Sequence, residues 1–495
     1  MKTTTSDPRA AERQRSFYHL AETTITNQPC QGLACFVARQ AAGTNWEAVS
    51  SQRPPVYCLG KCYAAPACGS DTVRPRVVID APSGIVLSRL AHGGARTLAA
   101  YTALDGYSRL GSWLRRRPAD ILDEVEASGL RGRGGAGFPA GKKWRAVAAQ
   151  DAPQKYVIAN ADEGDPGAYI DRFLIEDDPH TLIEALILAG YAVGANNGTV
   201  YLRKEYPEAQ RILTQAIAEA RDAGLLGANV AGTGFAFELK IFSGQGSYVC
   251  GEETALLNSM EGLPPMVRPR PPYPTQHGLF GKPTLVNNVE TLANIPWILQ
   301  HGGAAYHARG FSRSRGTKVL SLNSLFRRPG LYEVEFGVPI RHVLEDLGGG
   351  LRTGDIRGVI IGGPLAGILP PQLFDTPLGF EELQAVGASV GHGGVIAFDE
   401  HTSLPELIHH VFAFAAEESC GKCTPCRIGS RTVEELFSRV LMKRPTSADD
   451  KSWMTEIVSA LHATSLCGLG TGLADFALSA LQHYRDEVEH AFGQD

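Results

Sequence analysis

The chain has 495 residues, 43% hydrophobic and 20% charged, and a formal net charge of −5. That length allows about three or four domains with cores of their own. The slight acidic excess offers no electrostatic footprint for nucleic acid or an anionic membrane.

The polar start MKTTTSDPRAAERQRS lacks the apolar core of a secretion signal, and no apolar run approaches the ~20 residues of a membrane span, so a cytoplasmic protein is expected. Ten cysteines in such a chain point to metal or redox chemistry rather than disulfides. Residues 1–75 hold five of them. Cys30 and Cys35 open a predicted helix (Cys35 to Ala42), and Cys58 and Cys62 follow a strand-like run, Pro55 to Cys58. Residues 76–112 read as a Pro/Arg-rich linker. Over 113–312 a helix, Ala119 to Ser128, leads into GLRGRGGAGFPAGKKW, after which strands and helices alternate. The strands are Tyr156 to Ala159, Thr199 to Leu202 and Phe235 to Phe242; the helices are His180 to Gly194, Glu208 to Gly224 and one starting near Glu252. Such alternation predicts an α/β sheet covered by helices. PPMVRPRPPYP must run extended. Over 313–400, β-rich runs at Thr317 to Leu322 and Gly330 to Phe336, a helix Ile340 to Leu347 and a strand Gly358 to Ile361 suggest a β-grasp-like domain. Over 401–495 the period is helical, opening on the capping-box pattern Ser403-x-x-Glu406.

Five groups of residues carry chemistry. Cys420, Cys423 and Cys426 in CGKCTPC, with Cys467 alone in SLCGLG, have the spacing by which thiolates hold a [4Fe-4S] cube. Zinc prefers two paired knuckles. Gly132, Gly134 and Gly137 match G-x-G-x-x-G but follow a helix rather than a strand, so a standard dinucleotide-binding turn is rejected. The loop still permits close backbone approach to a phosphate or flavin, with Arg131, Arg133, Lys142 and Lys143 adding positive charge. Asn160, Asp162, Glu163 and Asp165 crowd the C-terminal end of a strand, where α/β folds place ligands; an acidic surface turn is the alternative. In GQGSYVCGEETALLNSMEG, Glu252 and Glu253 stand at a helix start, where capping alone would also explain them, and Cys250 reads as core. Asn287, Asn288 and Thr291 suit hydrogen bonding to a flavin edge or, more simply, a turn.

In that order, GLRGRGGAGFP, NADEGDPG, YVCGEETALLNS, GLFGKPTLVNNVETLAN and ESCGKCTPCRIG resemble the NADH-binding flavoprotein subunit of respiratory complex I and its soluble relatives, from about Ala119 to the end. The resemblance implies an FMN domain, a ubiquitin-like β-grasp domain and a helical bundle with the cube. It implies that Gly132, Arg133, Gly134, Lys143, Asn160, Asp162, Glu163, Tyr248, Gly251, Glu252, Asn287, Asn288 and Thr291 hold FMN, and that Phe138, Asp165, Glu253, Arg270 and Tyr273 receive NAD(H). Glu253 would act by positioning and charge. Relatives tend to carry Glu at Asp165, Lys at Arg270, Phe at Tyr273 and an aromatic at Ala146. The N-terminal segment resembles the thioredoxin-like half of another complex I subunit, implying a [2Fe-2S] cluster on Cys30, Cys35, Cys58 and Cys62. The fusion of the two, with GDPG after ADE, resembles soluble NAD-linked assemblies. It implies first a molybdenum-containing formate dehydrogenase and second a [NiFe] hydrogenase as catalytic partner, with complex I itself the third reading, together with a small thioredoxin-like [2Fe-2S] subunit. A flavin-free electron-relay or assembly subunit is the reading from another class.

Overall fold

The computed structural model describes residues 17–21, 25 and 27–492. The first long helix, α1 (Leu33–Ala41), buries Leu33 to Ala38. Around it the chain runs in loops and short turns, and within 27–75 only the isolated bridge between Pro29 and Cys68 links extended strands. This corrects two expectations: Pro55 to Cys58 is not a strand, and the described residues of the segment form no central sheet of a thioredoxin fold. So short a piece cannot bury both faces of a sheet. It packs on the rest of the protein instead, with Phe36 stacked at 4.3 Å on His410.

Residues 76–112 are not a plain linker. Strand β1 (Arg76–Ile79) pairs in parallel with residues 330–333, more than two hundred positions away. The turn that follows is held by Glu333, whose buried carboxylate accepts the amides of Ile85, Val86 and Leu87 at 2.8, 3.0 and 2.8 Å and the Thr317 hydroxyl at 2.6 Å. Burial pushes the Glu333 carboxyl up, and these four donors counter it. Glu333→Ala strands three buried amides, each costing ~1–3 kcal/mol. A loss of at least ~3 kcal/mol is expected in denaturant unfolding; a loss under ~1 kcal/mol would show that water replaces the carboxylate.

Helices α2 (Pro118–Ala127) and α3 (Ala140–Ala148) flank the glycine loop. The first sheet contains β2 (Tyr156–Ala161), β3 (Asn197–Leu202), β4 (Glu238–Ser243) and β5 (Thr284–Asn288), all parallel in the order β4-β3-β2-β5. Between the strands lie α4 (Ile170–Asp177), α5 (Pro179–Val193), α6 (Pro207–Asp222) and α7 (Glu253–Met260). All of α5 except Tyr191 is buried, and its buried polar residues find partners: Glu184 accepts the Tyr101 hydroxyl and His180 meets the Tyr107 hydroxyl. The predicted start of β4 at Phe235 is three residues early, because Phe237 bridges back to Gly227 before the ladder begins.

After α8 (Val289–Ala293) the chain enters a six-stranded mixed sheet. Its strands β6 (Thr317–Leu322), β7 (Gly330–Glu335), β8 (Gly358–Ile361), β9 (Ile368–Leu369) and β10 (Gly394–Phe398) take the order β1-β7-β6-β10-β8-β9. β6 and β10 are parallel at the centre, flanked by antiparallel pairs. The predicted helix at Ile340 to Leu347 is a wide π-type turn, His342–Leu347. The C-terminal helices are α9 (Leu404–Glu418), α10 (Thr424–Leu441), α11 (Ala448–Thr464) and α12 (Gly468–His483). Ser403 caps α9 by accepting the Glu406 amide. Among the described residues no helix is long and apolar enough to cross a membrane.

Where the N-terminal segment meets α9, His410 lies in an aromatic box, with Phe36 stacked on it and Trp46 edge-on at 5.1 Å. Burial pushes its imidazole down to about 3. The unfolded chain, with an ordinary histidine near 6.5, binds the extra proton first. Stability from this group is therefore full above pH ~6.5 and falls on acidification by ~1.4 kcal/mol per pH unit. Trp46 fluorescence is expected to report the segment loosening on acidification, and His410→Phe to suppress that change. An unaltered acid response in the variant would refute this account.

Candidate functional site: a carboxylate-lined cradle between two thiol clusters

The cradle is built at the C-terminal ends of β2 and β5 and on the loop between α2 and α3. Directly after β2, the Asn160 amide nitrogen donates to the Gly251 carbonyl at 2.8 Å, and Asn160 Oδ1 accepts the Asp162 amide at 3.2 Å. Asp162 is buried, its Oδ2 has no partner, and burial raises its pKa well above the usual carboxylate range. Glu252 caps α7 by accepting the amides of Thr254 and Ala255 with one oxygen, while its other, Oε1, is buried without a hydrogen-bond partner, 3.8 Å from the Arg270 guanidinium. A Cβ built on Gly251 would have no neighbour closer than 3.6 Å, and one on Gly135 would meet nothing within 4 Å. Orphaned acceptors beside open glycine backbone fit the hydroxyls and phosphate of a flavin nucleotide.

A second group lies beside it. Lys143 on α3 reaches Glu253 Oε2 at 2.7 Å and the Val286 carbonyl at 3.0 Å. Arg270 stands 3.8 Å from Glu252 and 3.7 Å from Glu253. Phe138 and Tyr273 are 54% and 52% exposed, available to stack on a planar ligand. Asp165 Oδ1 accepts the Tyr248 hydroxyl at 2.5 Å; burial raises its carboxyl, and nearby His392 opposes that rise. Ala146, half-buried on α3, offers no ring for stacking.

Other residues singled out by sequence are engaged elsewhere. The fully buried Arg133 side chain points to the Tyr306 hydroxyl, the Arg315 carbonyl and the face of Phe336. Glu163 caps α4 by accepting the amides of Ile170, Asp171 and Arg172. Asn287 Oδ1 accepts from Trp144 Nε1 at 2.9 Å. Asn288 caps α8 through the Thr291 amide, and the Thr291 hydroxyl accepts the Arg133 amide. These residues shape the wall of the cradle, and Gly132 and Gly134 supply the backbone between them. A Cβ on Gly134 would come within 2.9 Å of Asn288 Cβ.

The C-terminal cysteines gather at helix starts. Cys423 and Cys467 are the N-cap residues of α10 and α12, and Cys426 lies in the first turn of α10. Cys420 packs with Val249 and Ala255, with Cys467 against the same group. The turn Tyr248–Gly251 therefore separates this cluster from the cradle. Burial pushes the thiols of Cys426 and Cys467 up to about 11 and 12. Helix N-termini and a bound cation both favour thiolate, so this donor set fits a cube better than four free thiols. Cys250, by contrast, is a buried core thiol raised by burial.

At the N-terminal side, Cys30, Cys35, Cys58 and Cys62 are each about 1% exposed and come together. Cys58 and Cys62 sulfurs are 3.2 Å apart, and the neighbouring Cys35 and Cys58 thiols push the Cys30 thiol up. The amides of Gly32, Gly60 and Ala67 point at sulfur at 3.4, 3.3 and 3.4 Å. Beyond this cluster stands Pro166 of the GDPG loop, 3.1 Å from a Cβ built on Gly32, so one short segment separates it from the cradle. Sequence reading missed His392, Asp171 and Trp144 as parts of the wall. Only His392, set among glycines in GHGG, carried a local signal.

A flavin cradle on a parallel sheet, an exposed aromatic pair and a thiol cluster behind one turn define a flavin- and iron–sulfur-dependent NAD(H) oxidoreductase. Residues 125–297 match the Nuo51 FMN-binding domain and residues 406–491 the NADH-ubiquinone oxidoreductase-F iron-sulfur binding region. The chain belongs to the NADH-binding FMN/[4Fe-4S] flavoprotein family and is an NADH dehydrogenase (diaphorase) module of multisubunit NAD-linked oxidoreductases. It is 44% identical over 391 residues to the NADP-reducing hydrogenase subunit HndC of Solidesulfovibrio fructosivorans, covering 79% of each chain. It is 40% identical over 410 residues to the F 2 subunit of NADH-quinone oxidoreductase in Rhizobium meliloti (strain 1021), covering 83% of this chain and 95% of that one. A chain of NAD+-reducing [NiFe]-hydrogenase in the H2-reduced state superposes with a TM-score of 0.80 at 29% identity, over 99% of this chain and 88% of that one.

Proposed function

We propose that this chain is the diaphorase subunit of a cytoplasmic NAD-linked formate dehydrogenase, with a molybdenum-containing catalytic subunit and a small thioredoxin-like [2Fe-2S] subunit as partners. Bound FMN would link the two-electron chemistry of NAD(H) to the one-electron steps of iron–sulfur clusters. The protein's own residues do the rest. Asp162 and Glu252 would accept ribityl hydroxyls, and the glycine loop would admit the phosphate. Phe138 and Tyr273 would stack the dinucleotide, while Lys143, Glu253 and Arg270 fix its approach. The six-stranded sheet reads as a β-grasp domain with β1 added at its edge, covering one side of the cradle. Cys420, Cys423, Cys426 and Cys467 would hold the cube, and Cys30, Cys35, Cys58 and Cys62 a [2Fe-2S] cluster.

The orphaned Asp162 oxygen beside the open glycine backbone carries the flavin reading, and the buried four-thiol N-terminal cluster supports a fused relay. A hydrogenase partner is the second reading, favoured by the likeness to the NAD+-reducing [NiFe]-hydrogenase chain along nearly the whole length. Affinity purification of the complex from its own cells, with metal analysis, separates them. Molybdenum and formate-dependent NAD+ reduction are expected; nickel and H2-dependent reduction would establish the second reading. Absence of flavin, with no response to added FMN, would leave only a flavin-free relay.

A further inference from the structure

Glu163, Asp171 and His392 form a buried group whose ligand atoms lie within 4.8 Å of one another. Their hydrogen bonds leave little for a metal to do. Glu163 accepts the three α4 amides and the Tyr206 hydroxyl, while Asp171 accepts the Asn288 side-chain amide at 2.6 Å and the Glu290 amide at 3.1 Å. The group is instead an ion pair set into the wall of the cradle. His392 Nε2 lies 3.0 Å from Asp171 Oδ2, 3.5 Å from Glu163 Oε1 and 3.4 Å from Asn288 Nδ2. Asp171 Oδ2 is therefore shared by the imidazole and the Asn288 amide.

His392 is held in place from the other side as well. Its carbonyl accepts from Lys318 Nζ at 3.1 Å, and Lys318 is itself paired with Glu290, both side chains fully buried. The preceding residue, Gly391, bridges to Gly135 of the glycine loop. The loop is thus gripped at Gly134 by Asn288 and at Gly135 by Gly391, and both grips meet at His392. The charged groups facing this ring are Asp171 on α4, Glu163 and Asp165 after β2, Lys318 on β6 and Glu290 on α8. Burial pushes the His392 imidazole down, but Asp171 first and then Glu163 and Asp165 outweigh it and lift it to about 9. That shift keeps the proton on the ring through neutral pH, while Glu163, pushed up to about 7 by burial and by Asp171, titrates beside it in the same group.

We propose that His392 is a positioning residue for the flavin: through Asp171 it fixes the Asn288 amide and the glycine loop, and its ring places a fixed positive charge beside them. This rests on the reading of Asn288 and the glycine loop as FMN-holding residues. A nearby cation favours the reduced, more negative form of a flavin. Neutralising the ring is therefore expected to lower the flavin midpoint potential.

The test is a mediated redox titration of the intact complex without NADH, read by flavin absorbance from about pH 6 to about pH 10. Wild type is expected to show an inflection in midpoint potential near pH 9, where the ring loses its proton. His392→Gln, retaining FMN, is expected to have a lower potential at about pH 7 and to lose that inflection. An unchanged potential and pH profile in FMN-loaded His392→Gln would overturn the proposal. Should the variant fail to fold or to hold FMN, the wild-type profile decides, because no inflection there overturns it equally. Wild type devoid of flavin would instead sink the flavin reading itself.

Discussion

Cys467→Ala is expected to strip the C-terminal cluster, lowering iron by about four atoms per chain. Cys467 is the lone distant thiol: its partners come from one loop and the first turn of α10, whereas it caps α12. Its loss would therefore remove one ligand of the proposed cube and also the tie between two helix starts. Loss of a first ligand exceeds the ~10–100-fold affinity loss typical of outer partners, so a three-thiolate site should not keep its metal. Electron delivery to partner subunits is expected to fall at least ~100-fold, while NADH-dependent ferricyanide reduction, which needs only the flavin cradle, persists. Iron analysis, cluster absorbance and both assays on one preparation check this. Full iron in the variant would show that Cys467 is not a ligand.

Glu253→Ala is expected to lower kcat/KM for NADH by ~100-fold with FMN content unchanged, a typical cost of misplacing a bound reactant. The carboxylate lies 2.7 Å from Lys143 Nζ and 3.7 Å from Arg270, so its removal leaves two cations at the mouth of the cradle without their common counter-charge. The cations would then settle on other acceptors, the Val286 carbonyl for Lys143 and Glu252 for Arg270. Glu253→Gln keeps the acceptor without the charge and is expected to fall between wild type and Glu253→Ala. Helix-dipole stabilisation at the start of α7 is worth only ~0.3–1 kcal/mol, so stability should barely change. Steady-state kinetics with flavin quantitation checks this. A change in kcat/KM below ~2-fold would reduce Glu253 to a helix-start residue, the simpler explanation.

The parts of the fold written in local pattern were readable from the chain. The strands starting at Tyr156 and Thr199 and the helices starting at His180 and Glu208 follow from apolar period, and the observed elements start at Tyr156, Asn197, Pro179 and Pro207. Spacing alone set Cys420, Cys423, Cys426 and Cys467 apart, and the glycine string fails its Rossmann context because α2 precedes it. β1 was not readable, because Arg76–Ile79 becomes a strand only by pairing with Gly330–Glu333. Nor was β10, a short buried apolar run with no alternation to mark it. At the site, Arg133 and Glu163 sit in the motifs that resemblance points to, yet their side chains face inward to hold the wall.

What the amino-acid order determines by itself is therefore the inventory: thiols at ligand spacing, glycines where backbone must come close, carboxylates after a strand. Those depend on covalent spacing and local conformational preference, which act over a few residues. Which carboxylates stay free, which are consumed as caps, and that His392 meets Asp171 across two sheets are decided only on folding. Hydrogen-bond partners and burial are set by neighbours brought from far along the chain, and a buried polar group is costly unless it finds one. The same tertiary packing left one oxygen of Asp162 without a partner, and so left the cradle ready for a ligand.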